Sequence, residues 1–155
     1  MKLVKEFNQY LANLAVVTFK LHNVHWNTVG TQFVQVHKYT EELYDETFEF
    51  FDAVAEILKM NDVTPDSRLS DYLKNATISE GEKTVFDCRE AYEVVLADLK
   101  ALREEANALR NACDAEGWFT SATLFEDQIE SYNKRIWFVK SILAAARRPD
   151  RKSVV

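Results

Sequence analysis

The stretch HWNTVGTQFVQVHKYTEELYDETFEFFDAVAE, from His25 to Glu56, holds two imidazoles and a run of carboxylates. Imidazole nitrogen combined with carboxylate oxygen suits Fe(II), Mn or Zn better than Mg or Ca. The spacing is informative. His37 with Glu41, and Asp52 with Glu56, are each four residues apart, so on a helix each pair projects to one side. His37 and Asp52 are fifteen residues apart, which is roughly 22 Å along a helix axis, whereas metal–ligand bonds are about 2 Å long. One chain cannot bring both ends of that helix to one ion. A two-fold axis crossing the helix near Glu46 or Thr47 solves this. It sets His37 and Glu41 of one chain beside Asp52 and Glu56 of the mate, twice per dimer.

The elements that must position these groups follow from punctuation and period. Only three Gly and two Pro occur in 155 residues, which argues for long helices and few turns. Gly30, Pro65, Gly81, Gly117 and Pro149 divide the chain into four long segments and a tail. Apolar residues at three/four spacing predict helices over about 2–28 (Phe7, Tyr10, Leu14, Leu21), 31–60 (Val36, Leu43, Val54, Leu58), 80–115 (Val85, Tyr92, Leu99, Leu102) and 118–147 (Phe125, Ile129, Tyr132, Val139). Ser79 with Glu82 reads as a capping box opening the third helix, and Thr64-Pro65 as the start of a short helix. The first and last turns are short, so each joins an antiparallel hairpin. The link between the second and third helices, about 20 residues, can run the length of the bundle. The expected fold is all-α, a ferritin-like four-helix bundle with one long crossover containing a short helix. His25 and His37 are then level, because the hairpin midpoint near Thr31 is equidistant from both. On the second helix, Tyr44, Phe48, Asp52 and Ala55 form a second face that suits another subunit better than water.

Composition narrows the function. The length fits one domain, over residues 1–146, followed by a short basic tail, 147–155. A net charge of −6 is a poor whole-surface match for nucleic acid but suits cation uptake. No basic-then-apolar leader and no membrane-length apolar run are present, and Cys88 and Cys113 stand roughly 37 Å apart on one helix, too far to pair. Two unpaired thiols fit a reducing cytoplasm. The tail carries Arg147, Arg148, Arg151 and Lys152 against Asp150. It reads as a solubilising end, or as a sequence-independent DNA attachment repeated around an oligomer and possible only through avidity.

The segments KLHNVHWNTVG (Lys20–Gly30), then His37, then FDAVAE (Phe51–Glu56) resemble the signature H-x11-H-x3-D-x10-D-x3-E of the Dps family, the mini-ferritins named as DNA-binding proteins from starved cells. KRIWFVKSIL near the end of the fourth segment extends the resemblance over the whole chain. No E-x-x-H, the motif of other di-iron carboxylate bundles, occurs. The resemblance implies a hollow cytoplasmic dodecamer, nucleoid-associated in some settings. Its ferroxidase centres lie at two-fold interfaces, where Fe(II) is oxidised, preferably by hydrogen peroxide, and stored as ferric mineral. His25, His37, Asp52 and Glu56 match the ligand and catalytic positions. Glu41 stands where the family usually has Asp. Trp118 and Phe119 stand where pore aspartates are usual, with Glu126, Asp127 and Glu130 as substitutes. The Lys-rich N-terminal extension is missing.

Plainer roles compete for several residues. His22 reads as structural. Trp26 reads as packing, with electron donation to a stray oxidant as the alternative, and Tyr44 and Phe48 read as interface packing. At the level of function, the iron oxidase competes with a DNA-compacting nucleoid protein and with a structural shell protein of the same fold.

Overall fold

The structure, a computed structural model, describes residues 1–146. It contains helices α1 (Val4–Asn27), α2 (Phe33–Met60), α3 (Leu69–Asn75), α4 (Cys88–Ala115) and α5 (Phe119–Ala146), with two-residue strands β1 (Thr28–Val29) and β2 (Phe86–Asp87). The expected all-α, ferritin-like bundle is observed. α1 packs along α2 and α4 along α5, and a 27-residue crossover carrying α3 joins the two hairpins.

Burial follows the three/four periods. Phe7, Tyr10, Leu14 and Leu21 of α1, Leu43, Val54 and Leu58 of α2, Leu99 and Leu102 of α4, and Phe125 and Val139 of α5 close one core. Tyr10 sits at its centre. Its hydroxyl donates to Gln128 Oε1 at 2.6 Å and lies 2.6 Å from the Tyr132 hydroxyl, so three buried polar groups are tied across α1 and α5.

The crossover departs from expectation in two places. Ser79 and Glu82 do not open α4. Ser79 Oγ instead accepts from Gly81 N, and the capping box belongs to Asp87, which accepts from Glu90 N at 2.7 Å while Glu90 Oε1 accepts from Asp87 N. Val85 accordingly lies exposed before α4 and not on it. Pro65 does not begin α3, which starts four residues later at Leu69. The reason at Ser79 is tertiary. Buried Asn13 on α1 accepts from Thr77 N (2.8 Å) and Ile78 N (3.0 Å) and donates to Thr77 Oγ1 (2.9 Å) and Glu105 (2.8 Å). That clamp holds 77–78 off the helical path. Downstream, Phe86 and Asp87 pair in parallel with Thr28 and Val29. Local helix signals lose to these fixed partners.

Both cysteines are free and lie at opposite ends of α4, as the sequence requires. Among the described residues no helix is long and apolar enough to cross a membrane. The basic residues Arg147, Arg148, Arg151 and Lys152 lie outside the described residues.

Candidate metal centre

The α1–α2 turn brings His25 and His37 together. Their rings stack with centroids 3.5 Å apart and planes at 18°. Each ring is held by the other's backbone: His25 Nδ1 is 2.6 Å from the His37 carbonyl, and His37 Nδ1 is 2.8 Å from the His25 carbonyl. A carbonyl only accepts, so both Nδ1 atoms carry the proton and both Nε2 atoms keep a lone pair. This is the outer hydrogen bond that orients a ligating imidazole. Thr40, fully buried, adds to it. Its hydroxyl donates to Val36 O at 2.8 Å and lies 3.2 Å from His25 Nδ1. His25 itself is buried, and burial lowers its pKa below the usual 6.5, against a weaker raising effect from the His37 carbonyl. The imidazole is neutral at pH 7, the form a cation needs.

Aromatic groups wall this pair. The Tyr44 ring meets His25 edge-on at 5.2 Å and stacks on His22 at 3.8 Å, and Phe33 tilts against His37 at 5.2 Å. His22 Nδ1 is fixed by the Thr18 carbonyl at 2.7 Å. Trp26 touches only His22 among these rings and is two-thirds exposed in the single chain.

Asp52 and Glu56 lie elsewhere, whereas Glu41 sits one turn on from His37 along α2. Glu41, Asp52 and Glu56 are exposed, and among the described residues none forms a hydrogen bond or ion pair. α2 runs unbroken through 28 residues, so Asp52 stays roughly 22 Å along the axis from His37. Among the described residues no three His, Cys, Asp or Glu side chains converge within one chain. Two neighbouring acids are already used: Glu46 accepts from Ser131 (2.7 Å) and Arg135, and Glu42 pairs with Arg135 at 3.3 Å.

Between the carboxylates and α1 lies an apolar surface. Phe19, Phe48, Leu69 and Leu73 are each roughly 60% exposed and sit around Phe51 and Tyr72, where α1, α2 and α3 meet. Exposed apolar area of this kind marks an interface. At the other end of the bundle, Glu126, Asp127 and Glu130 are exposed on α5, and Arg110 pairs with Glu126 at 2.9 Å. Phe119 is exposed beside them.

A ferritin-like domain matches residues 4–148. The DNA protection during starvation protein of Helicobacter pylori is 34% identical over 144 residues, which cover 93% of this chain and all of that protein. The chain belongs to the Dps family. Among solved structures, Helicobacter cinaedi CAIP superposes with a TM-score of 0.88 at 36% identity, covering 92% of this chain and 99% of that one. Dps from Vibrio cholerae, described as a member of a broad superfamily of ferritin-like diiron-carboxylate proteins, gives 0.87 at 26% identity, covering 92% and 90%. Membership in the Dps family supports an iron-storing mini-ferritin with ferroxidase-type chemistry.

Reading the sequence alone located both histidines and the open carboxylates but missed Thr40. Its signal was available: a Thr three residues after His37, at a position the helical period buries.

Proposed function

We propose that this protein oxidises Fe(II) with hydrogen peroxide at centres shared between two subunits and stores the ferric product in a hollow dodecamer. The observation that carries this reading is the division of α2. One end presents two imidazoles whose Nδ1 atoms are held by carbonyls, leaving Nε2 outward, and the other presents carboxylates with no hydrogen bond or ion pair among the described residues of their own chain. Positions 37 and 56, and positions 41 and 52, share one midpoint between Glu46 and Thr47. An antiparallel copy of α2 crossing there supplies Asp52 and Glu56 to His25 and His37, with Glu41 alongside. The apolar surface around Phe48 flanks that midpoint and gives the copy something to cover.

The chemistry follows from the ligand set. Fe(II) displaces water at two fixed Nε2 positions, and at His25 there is no proton to remove because burial holds that ring neutral. Carboxylate oxygens favour the ferric ion. Two Fe(II) each release one electron, the peroxide O–O bond breaks, and two protons complete two waters. Exposed Asp127 and Glu130 form the cation path in this reading, since Arg110 already occupies Glu126. Residues 1–146 form the working bundle, in the reducing cytoplasm that two free thiols fit.

The test is Fe(II) oxidation by peroxide in a variant with His25 and His37 both changed to Ala. An unchanged rate defeats the assignment. The name of the Helicobacter pylori relative, DNA protection during starvation protein, favours a second reading, DNA protection by binding through Arg147, Arg148, Arg151 and Lys152. Gel retardation that disappears on removal of 147–155, in a particle without iron oxidation, supports that one instead.

A further inference from the structure

Cys88 opens α4 and lies against the turn that carries the histidine pair. Its thiol donates to the Val29 carbonyl at 3.7 Å. A Cβ built on Gly30 would stand 3.1 Å from Cys88 Sγ, and Gly30 has φ +132, a conformation only glycine adopts readily. The thiol therefore fills the space behind the turn. From Gly30 the path to the centre is short. Its carbonyl accepts from Phe33 N at 3.1 Å, starting α2, and the Phe33 ring rests on His37. Cys88 is half-buried, so one side is open to a small molecule.

A second observation lies beneath the thiol. Tyr92 is four residues on, and a helical side chain leans toward the helix N-terminus, so its ring runs back along the face bearing Cys88. Tyr92 is 2% exposed, and its hydroxyl has no hydrogen-bond partner among the described residues. After burial itself, Cys88 and then Tyr39 raise its pKa. A buried hydroxyl left without a partner one helical turn from a thiol is an unusual cost to leave unmet.

We propose that Cys88 is a peroxide-modified thiol: hydrogen peroxide converts it to a sulfenic acid, the Tyr92 hydroxyl hydrogen-bonds the new oxygen, and the added bulk shifts the Gly30 turn that joins His25 to His37. The sulfur gains one oxygen and loses two electrons, the peroxide O–O bond breaks, and water leaves. Peroxide in excess of the iron supply would thus slow the centre reversibly. That consequence rests on the proposed iron oxidation; the modification itself does not. Cys113 is the internal control, because it is fully buried and burial pushes its pKa up to about 11.

Metal-free whole particles are treated with hydrogen peroxide, trapped with a sulfenic-acid-specific dione and digested for mass spectrometry. A parallel sample is assayed for Fe(II) oxidation before and after a thiol reductant. The expected result is adduct on Cys88 and none on Cys113, slower adduct formation in Tyr92→Phe, and an iron oxidation rate that falls by about tenfold and recovers on reduction. Cys88→Ser should keep its rate through the same treatment. Absence of adduct on Cys88, equal labelling of Cys113, or adduct with an unchanged rate overturns the proposal. Failure of untreated particles to oxidise iron sinks the proposed function instead, and the adduct then decides the modification alone.

Discussion

Asp52 and Glu56 separate stability from function more cleanly than any other pair in the chain. Both side chains are exposed on α2 and form no hydrogen bond or ion pair among the described residues of their own subunit. Replacing them as Asp52→Asn and Glu56→Gln keeps size and shape, so the folded subunit should change by no more than about 0.5 kcal/mol. In the proposed dimer they would approach Glu41 of the mate, and neutralising two of three clustered carboxylates would remove like-charge repulsion; metal-free particles should be as stable as the parent or slightly more so. The centre, by contrast, loses its charged oxygens. Loss of an outer hydrogen-bond partner of a ligand already costs about 10- to 100-fold, so loss of the ligands themselves should cost at least about 100-fold, or roughly 2.7 kcal/mol. The measurement is the initial rate of ferric product formation with peroxide, beside sedimentation and urea unfolding of the same metal-free preparation. A rate within about threefold of the parent refutes the reasoning. So does a rate loss matched by loss of assembly, because the carboxylates would then be structural.

Two further outcomes follow. Because burial lowers the folded-state pKa of His25, the neutral ring contributes stability that is complete above the unfolded value of 6.5 and is lost as pH falls through the lower folded value. Melting of metal-free particles across about pH 7 to 5 should show a destabilisation on acidification that shrinks in His25→Gln, and the parent's iron oxidation should fall in the same window. Asn13→Ala strands Thr77 N, Ile78 N and Glu105; it should cost about 3 kcal/mol, lowering the melting temperature by about 6–12 °C with iron oxidation retained, whereas a shift under about 2 °C would show that Asn13 does not hold the crossover.

The legible parts of this fold are those in which local pattern and tertiary demand agree. α1, α2, α4 and α5 each bury the stripe that their period marks, and the short α1–α2 turn sets His25 level with His37 by arithmetic. The crossover and its short helix were legible in outline, but not where its helices begin. Ser79 and Glu82 carry a helix-start pattern, but Asn13, 64 residues away from Thr77 in sequence, binds the backbone there first, and Gly81 at φ +75 breaks any continuation. The parallel pairing of Phe86–Asp87 with Thr28–Val29 leaves no mark in a two-residue strand. At the site, spacing revealed which groups share a face. It could not show that each histidine is locked by the other's carbonyl, because that bond depends on how closely two helices approach and not on residue type.

The central claim is that each centre takes histidines from one subunit and carboxylates from the next, and co-assembly tests it most directly. A His25→Ala, His37→Ala chain is mixed in equal amounts with an Asp52→Asn, Glu56→Gln chain under conditions that re-form particles. Each parent alone should be inactive. Random pairing makes half the dimers mixed, and each mixed dimer holds one intact centre of two, so the mixture should regain about one quarter of the unmodified rate of peroxide-driven iron oxidation. A mixture as inactive as its parents, in particles shown to contain both chains, would contradict the shared centre.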